Sequence, residues 1–183
     1  MTHASMEAVA EGLVARGIAV LRYNFPYMER GSKRVDSAIV AHGAVRAAVA
    51  AGRERSASLP LFAGGRSFGA RMTSQAKASA PLDGVRGLVF FAFPLHPSGE
   101  PSDERAAHLE HVGIPMLFLQ GTRDTLADTD LLVRKVKSLG PRAKLVTVAN
   151  ADHSFHVPAK SGRKDREVLA EILDHAAAWM FSI

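Results

Sequence analysis

The strongest constraint on this chain is a set of short, unbroken apolar runs, Leu59 to Ala63, Gly87 to Phe93 and Pro115 to Leu119. A strand wetted on one face alternates apolar and polar residues, whereas a strand covered on both faces reads as continuous Val, Leu and Phe. These runs are therefore expected to be central strands of a parallel sheet. Helical patterns separate them. A helix over 4–16 presents Met6, Val9, Leu13 and Val14, and Gly17 stops it before a strand over 18–23, from which Asn24-Phe25-Pro26-Tyr27 turns the chain. A second helix over 35–51 places Val35, Ile39, Val45 and Val49 on one face, with Gly43 inside it and Gly52 as its cap. Further on, a helix over 128–139 directs Leu132, Val136 and Leu139 inward and precedes a strand at Lys144 to Val148. A last helix over 165–181 gathers Val168, Leu169, Ile172, Leu173, Ala176 and Met180 on one side. Helix and strand alternating without a composition break imply an α/β fold, a mainly parallel sheet with helices on both faces, in one domain over 1–183.

The densest chemistry lies between the strand ending at Ala63 and a helix expected to begin near Phe68. There Gly64-Gly65-Arg66-Ser67-Phe68-Gly69 contains Gly-x-Ser-x-Gly at Gly65, Ser67 and Gly69. A serine at a sharp strand-to-helix turn is pushed out at the carboxyl end of the sheet, and flanking glycines are expected because a Cβ there would strike the neighbouring backbone. The same turn aims the Phe68 N–H at the oxygen that becomes negative when a carbonyl is attacked. A serine hydroxyl is a weak nucleophile at neutral pH and needs an imidazole to take its proton, with a carboxylate to hold that imidazole. The chain order that goes with such an elbow is Ser, then acid, then His, each beyond a strand end. Asp124 follows the run ending at Gln120, and His153 follows the strand ending at Val148. Ser67 as nucleophile, Asp124 as orienting acid and His153 as base satisfy that order. His156 lies three residues further and reaches the same space, while Asp152 reads as a local turn residue. Asp128 and Asp130 are rival acids that read better at a helix start, where carboxylates meet free N–H groups.

Other readings are weaker. Glu104, His108 and His111 fall on one helical face but lack a metal-protease pattern, and they read as a solvated surface. The Gly64 to Gly69 loop ends Gly-Ala-Arg instead of the Gly-Lys-Ser/Thr of a phosphate loop. No metal and no organic cofactor is called for. The net charge of +5 and a pI near 9.9 raise the question of nucleic acid, but the basic residues are scattered and no aromatics interleave with them. Nucleic acid is not expected as a partner. Nor is a membrane, since no apolar run approaches the roughly 18 residues of a span. The absence of Cys excludes disulfides and a thiol nucleophile, and with no secretory pattern in residues 1–16 the expected location is the cytoplasm.

Arg22-Tyr23-Asn24-Phe25-Pro26-Tyr27-Met28-Glu29, the segment Gly64 to Met72, Gly121-Thr122-Arg123-Asp124 and Asp152-His153-Ser154-Phe155 together resemble the small predicted hydrolases related to dienelactone hydrolases, within the α/β-hydrolase superfamily. The resemblance covers nearly the whole chain and implies that fold without a large lid, with a triad at Ser67, Asp124 and His153. Ala70 stands where the group often has a second glycine. The resemblance also implies strands ahead of the first helix, one of them between the strands at 18–23 and 59–63, and a Gly-rich loop supplying a second oxyanion donor. Met1 is therefore expected to be an internal start, and the two flanking strands either leave a gap or close upon each other. Two functions follow as expectations. One is an esterase-like serine hydrolase acting on a small ester through an acyl-enzyme. The other is a non-catalytic scaffold that binds a partner or small ligand in the same cleft.

Overall fold

Burial alternates along the strands in a way that assigns two layers. Leu88, Phe90, Met116 and Phe118 belong to one core and Val89, Phe91, Leu117 and Leu119 to another, so each strand feeds both faces of a single sheet. In the computed structural model, which describes residues 4–183, that sheet has four strands: β1 (Leu61–Arg66), β2 (Val85–Phe91), β3 (Met116–Gly121) and β4 (Ala143–Val148). They run in the order β1-β2-β3-β4 and every neighbouring pair is parallel. Parallel strands require crossovers, and these are α4 (Phe68–Ser79), a 3-10 helix at Glu104–His111 and α5 (Thr129–Ser138).

These crossovers, with α3 (Ala38–Arg55), pack on the face carrying Phe90 and Phe118. The opposite face is covered by α1 (Ala4–Val14) and α6 (Asp165–Phe181) through Val9, Leu13, Val168, Ile172 and Leu173. Helices on both faces explain why β2 and β3 read as unbroken apolar runs. The fold is α/β, as the sequence implies. No helix among the described residues is long and apolar enough to cross a membrane.

Four local expectations are corrected. Residues 18–25 form neither strand nor helix, although their composition suits a strand. A strand exists only where a neighbour accepts its backbone bonds, and among the described residues β1 pairs with β2 alone and forms the edge of the sheet. The two segments thus do not close upon each other, and Val20 and Leu21 stay exposed. In the second helix, Ile39 is 85% exposed, while Ala41 and Val45 are buried. The helix starts at Ala38, so Val35 precedes it, and Ile39 is about 200° around the axis from Ala41. Finally, Gly52 is not the cap. The helix runs on to Arg55, and Gly52 is a close-packing position where a Cβ would lie 3.4 Å from the Leu61 side chain. On the first helix Val14 is also exposed rather than inward.

Between α1 and α3 the chain makes a short helix α2 (Pro26–Glu29), which starts with proline at its first turn. Phe25 is buried here and packs edge-on against Tyr23 at 5.4 Å and Phe68 at 5.2 Å. Tyr27 adds a second edge-on contact to Phe68 at 5.9 Å. Burial pushes the Tyr23 phenol up to about 12, against a hydrogen bond with Thr73 of α4 that acts the other way. This aromatic group fixes the residue that follows Ser67.

Candidate active site

Ser67 sits between β1 and α4 with φ 52° and ψ −116°, a left-handed backbone that a non-glycine residue adopts only under strain. The surroundings hold it there. Its N–H donates to the Phe91 carbonyl at 3.1 Å, continuing the β1–β2 ladder, and its carbonyl accepts from the Arg71 N–H at 3.1 Å. At Gly65 a Cβ would come within 2.8 Å of the Gly69 backbone, and at Gly64 it would strike the Val89 carbonyl. The second glycine of the motif differs from expectation. A Cβ on Gly69 would meet only the Phe25 ring at an ordinary 3.7 Å, so sterics demand glycine at Gly65 but not at Gly69. Phe68 opens α4, and its N–H therefore has no acceptor inside the helix.

Asp124 lies just beyond β3 with its side chain wholly buried. Its Oδ1 accepts from the Leu126 N–H at 2.8 Å, and its Oδ2 accepts from Gln120 Nε2 at 2.5 Å. The same Oδ2 is 2.7 Å from His153 Nδ1, and His153 Nε2 is 2.9 Å from Ser67 Oγ. Three side chains from three strand ends thus form one continuous hydrogen-bonded line. A carboxylate on Nδ1 fixes the proton there and leaves Nε2 as the acceptor facing the hydroxyl.

The loop carrying His153 is tied to both of its neighbours. Toward β3, Arg123 N–H donates to the Ala151 carbonyl at 2.8 Å and Asn150 N–H to Thr122 Oγ1 at 2.9 Å. Gly121 permits this, since a Cβ there would run into the Ala151 carbonyl. Toward β1, Arg66 Nη2 donates to the His153 carbonyl at 3.1 Å and to Ser154 Oγ at 2.9 Å, while Nη1 donates to Ser5 Oγ of α1 at 2.8 Å. Burial holds the Arg66 guanidinium below its ordinary value, with the nearby carboxylates of Asp152 and Asp124 opposing. Within the loop, Asn150 and Phe155 adopt positive φ of 62° and 60°; asparagine takes this readily and phenylalanine does not.

The rival residues are engaged elsewhere. His156 Nδ1 pairs with Asp165 at 2.8 Å on the surface, which raises the imidazole and lowers the carboxyl from their ordinary values. Asp152 accepts from the Ser154 and His156 N–H groups and shapes the turn. Asp128 is the N-cap of α5, accepting from Leu131 N–H at 2.8 Å, and Asp130 lies in that helix's first turn. His108 does not belong to a solvated face. It hydrogen-bonds Ser74 Oγ at 2.8 Å, and burial, reinforced by the charge of Arg71, pushes its imidazole down to about 4. The segment before Ala4, where a second oxyanion donor is expected, lies outside the described residues.

Sequence reasoning missed Arg66, Gln120 and His96. Arg66 was hidden by its place inside the Ser67 motif, where only the glycines and the serine carry a chemical signal. Gln120 ends an apolar strand, and a lone buried glutamine four residues before the acid was the available hint. His96 is buried, and its Nε2 accepts from the Asp128 N–H at 2.7 Å to hold the approach to α5.

The fold recurs in solved structures. An α/β serine hydrolase homologue from Coxiella burnetii matches with a TM-score of 0.72 and 21% identity, over 94% of this chain and 77% of the other. An α/β serine hydrolase without a lid from Xanthomonas campestris gives 0.72 at 25% identity, over 96% of this chain and 72% of that one. The esterase domain of a Rhodothermus marinus protein gives 0.67 at 13% identity, over 96% and 79%. Residues 1–181 match the family described as alpha/beta hydrolase domain, and the chain belongs to that family.

Proposed function

We propose that this hydrolase-fold chain is a serine hydrolase that cleaves small ester-like substrates through an acyl-enzyme on Ser67, with His153 as base and Asp124 orienting it. The observation that carries the reading is the hydrogen-bonded line from Asp124 through His153 to Ser67, with spacings of 2.7 and 2.9 Å, ending on a serine in a strained turn. His153 Nε2 takes the hydroxyl proton as Oγ bonds to the ester carbon, and the carbonyl electrons move onto oxygen. In this reading the Phe68 N–H, free at the start of α4, stabilises that oxyanion. When the carbonyl re-forms, the alkoxide leaves and takes the proton from His153. Water, deprotonated by His153, then attacks the acyl-enzyme and releases the acid as Oγ recovers its proton. The proton passes among Ser67, His153, the leaving group and water, and Asp124 need not take it. Similar folds named serine hydrolase and esterase support the reaction class.

The test is covalent. A fluorophosphonate is expected to add a single mass to the protein at Ser67, and 4-nitrophenyl butyrate to be turned over; Ser67→Ala is expected to lose both with an unchanged circular-dichroism spectrum. Equal labelling of the two proteins would remove Ser67 from the role. A protein that neither labels nor turns over ester, while remaining folded, would favour the scaffold reading.

A further inference from the structure

The face of α4 that begins at Ser67 continues through Arg71 and Ser74, because residues four and seven positions on return to nearly the same direction. Ser74 lies on the 3-10 helix Glu104–His111 through its bond to His108, so this face forms the seam between the two elements. On the 3-10 helix Arg105 precedes His108 by three residues, one full turn, and so shares its side. Two arginines thus look into one seam beside the serine turn.

They lack a counter-ion. Neither Arg71 nor Arg105 forms an ion pair among the described residues, and Arg71 Nε is buried without a hydrogen-bond partner. Burial and the neighbouring Arg105 charge hold Arg71 below its ordinary value, and no carboxylate offsets them. The nearby Asp103 and Glu104 are exposed and unpaired with either arginine, and Glu110 is taken by Lys135 at 2.8 Å. Gathering two guanidiniums at a partly desolvated seam costs free energy that nothing within the described chain returns. An anion arriving from outside returns it, since the guanidinium fork fits the paired oxygens of an oxyacid. Arg71 lies about 6 Å along the helix from Ser67, and its side chain leans toward the helix start.

We infer that Arg71 and Arg105 form a subsite for an anionic oxyacid group of the substrate, carboxylate or phosphate, carried a few bonds from the ester carbonyl attacked by Ser67. This rests on the hydrolase reading for its chemistry but not for its binding step. Neutral esters are then poor substrates, and the preferred class is a half-ester of a dicarboxylic acid or an ester bearing a phosphate.

The experiment compares mono-4-nitrophenyl glutarate with neutral 4-nitrophenyl butyrate, corrected for background hydrolysis, as a ratio of kcat/KM. A ratio from one sample is insensitive to the fraction of folded protein. The wild type is expected to favour the glutarate at least tenfold. Arg71→Gln and Arg105→Gln are each expected to lower the ratio tenfold or more, and Arg71→Lys to restore part of it. Competition by monomethyl succinate against methyl phosphate identifies the preferred oxyacid. A wild-type ratio at or below one, or a ratio that both substitutions leave within twofold, overturns the subsite. Should the wild type hydrolyse neither ester, calorimetry on Ser67→Ala decides: monomethyl succinate or methyl phosphate binding that Arg71→Gln abolishes sustains the subsite, and no binding of either overturns it.

Discussion

His153 and His156 stand three residues apart, and the sequence left both open as base. Their partners separate them: His153 spans Asp124 and Ser67, whereas His156 is committed to Asp165. His153→Ala is expected to lower ester kcat/KM by on the order of 10⁴-fold, and His156→Ala by no more than a few-fold. The reverse pattern would move the base. Arg66 gives a subtler expectation, because it grips the carbonyl of His153 and not its ring. Losing that grip lets the imidazole drift from Ser67, and misplacement by about 1 Å costs roughly 10² in rate. Arg66→Ala should therefore reduce kcat much more than it changes KM, and added guanidinium should recover part of kcat. A loss confined to KM would refute a positioning role. At this scale the turn at Ser67 was legible because glycines bracket it, and the placement of Asp124 and His153 because both follow strand ends. Arg66 and Gln120 were not, since a hydrogen bond between residues far apart in sequence leaves no periodic trace.

The long apolar strands were legible because burial on both faces leaves an unbroken apolar run, and the last helix because burial on one face imposes a period. The segment 18–23 has a strand's composition without a strand's partner, and pairing is not written into the segment itself. Of the three residues read as a solvated face, Glu104 and His111 are exposed, but His108 was misread: it is half-buried against Ser74, a contact across 34 positions. That burial has a pH consequence. The imidazole ordinarily titrates near 6.5 but takes its proton only near 4 in the fold, so unfolding between these values binds a proton. Stability should thus fall as pH drops from about 6.5 toward 4, and His108→Gln should flatten that part of the curve in urea melts taken across the range. A slope unaltered by the substitution would assign it to other groups. The joint between the β3 and β4 loops offers a second test. Gly121→Ala drives a methyl against the Ala151 carbonyl and should cost about 1–3 kcal/mol of stability while lowering turnover, read together by thermal melting and ester assay.

For the molecule as a whole, the layers and a mainly parallel sheet were foreseeable from the alternation of elements, and an unpaired side of β1 was one of the two outcomes that the resemblance implied. The three residues of the hydrogen-bonded line, Ser67, Asp124 and His153, are supplied in chain order by the ends of β1, β3 and β4. The His153 ring reaches 29 positions back to Asp124 and 86 back to Ser67. Such distant contacts close late, because the loops they seal carry the largest entropy to overcome. Helices can regain their spectrum while the sheet is still incomplete, so refolding from urea should restore far-ultraviolet dichroism before phosphonate labelling, with a lag readable by quenching samples in time. Simultaneous recovery would mean that the whole sheet condenses in one step. A growing chain on the ribosome meets the same order: Ser67 emerges 86 positions ahead of His153, so under the proposed function the serine stays unarmed until that further length of chain has been made.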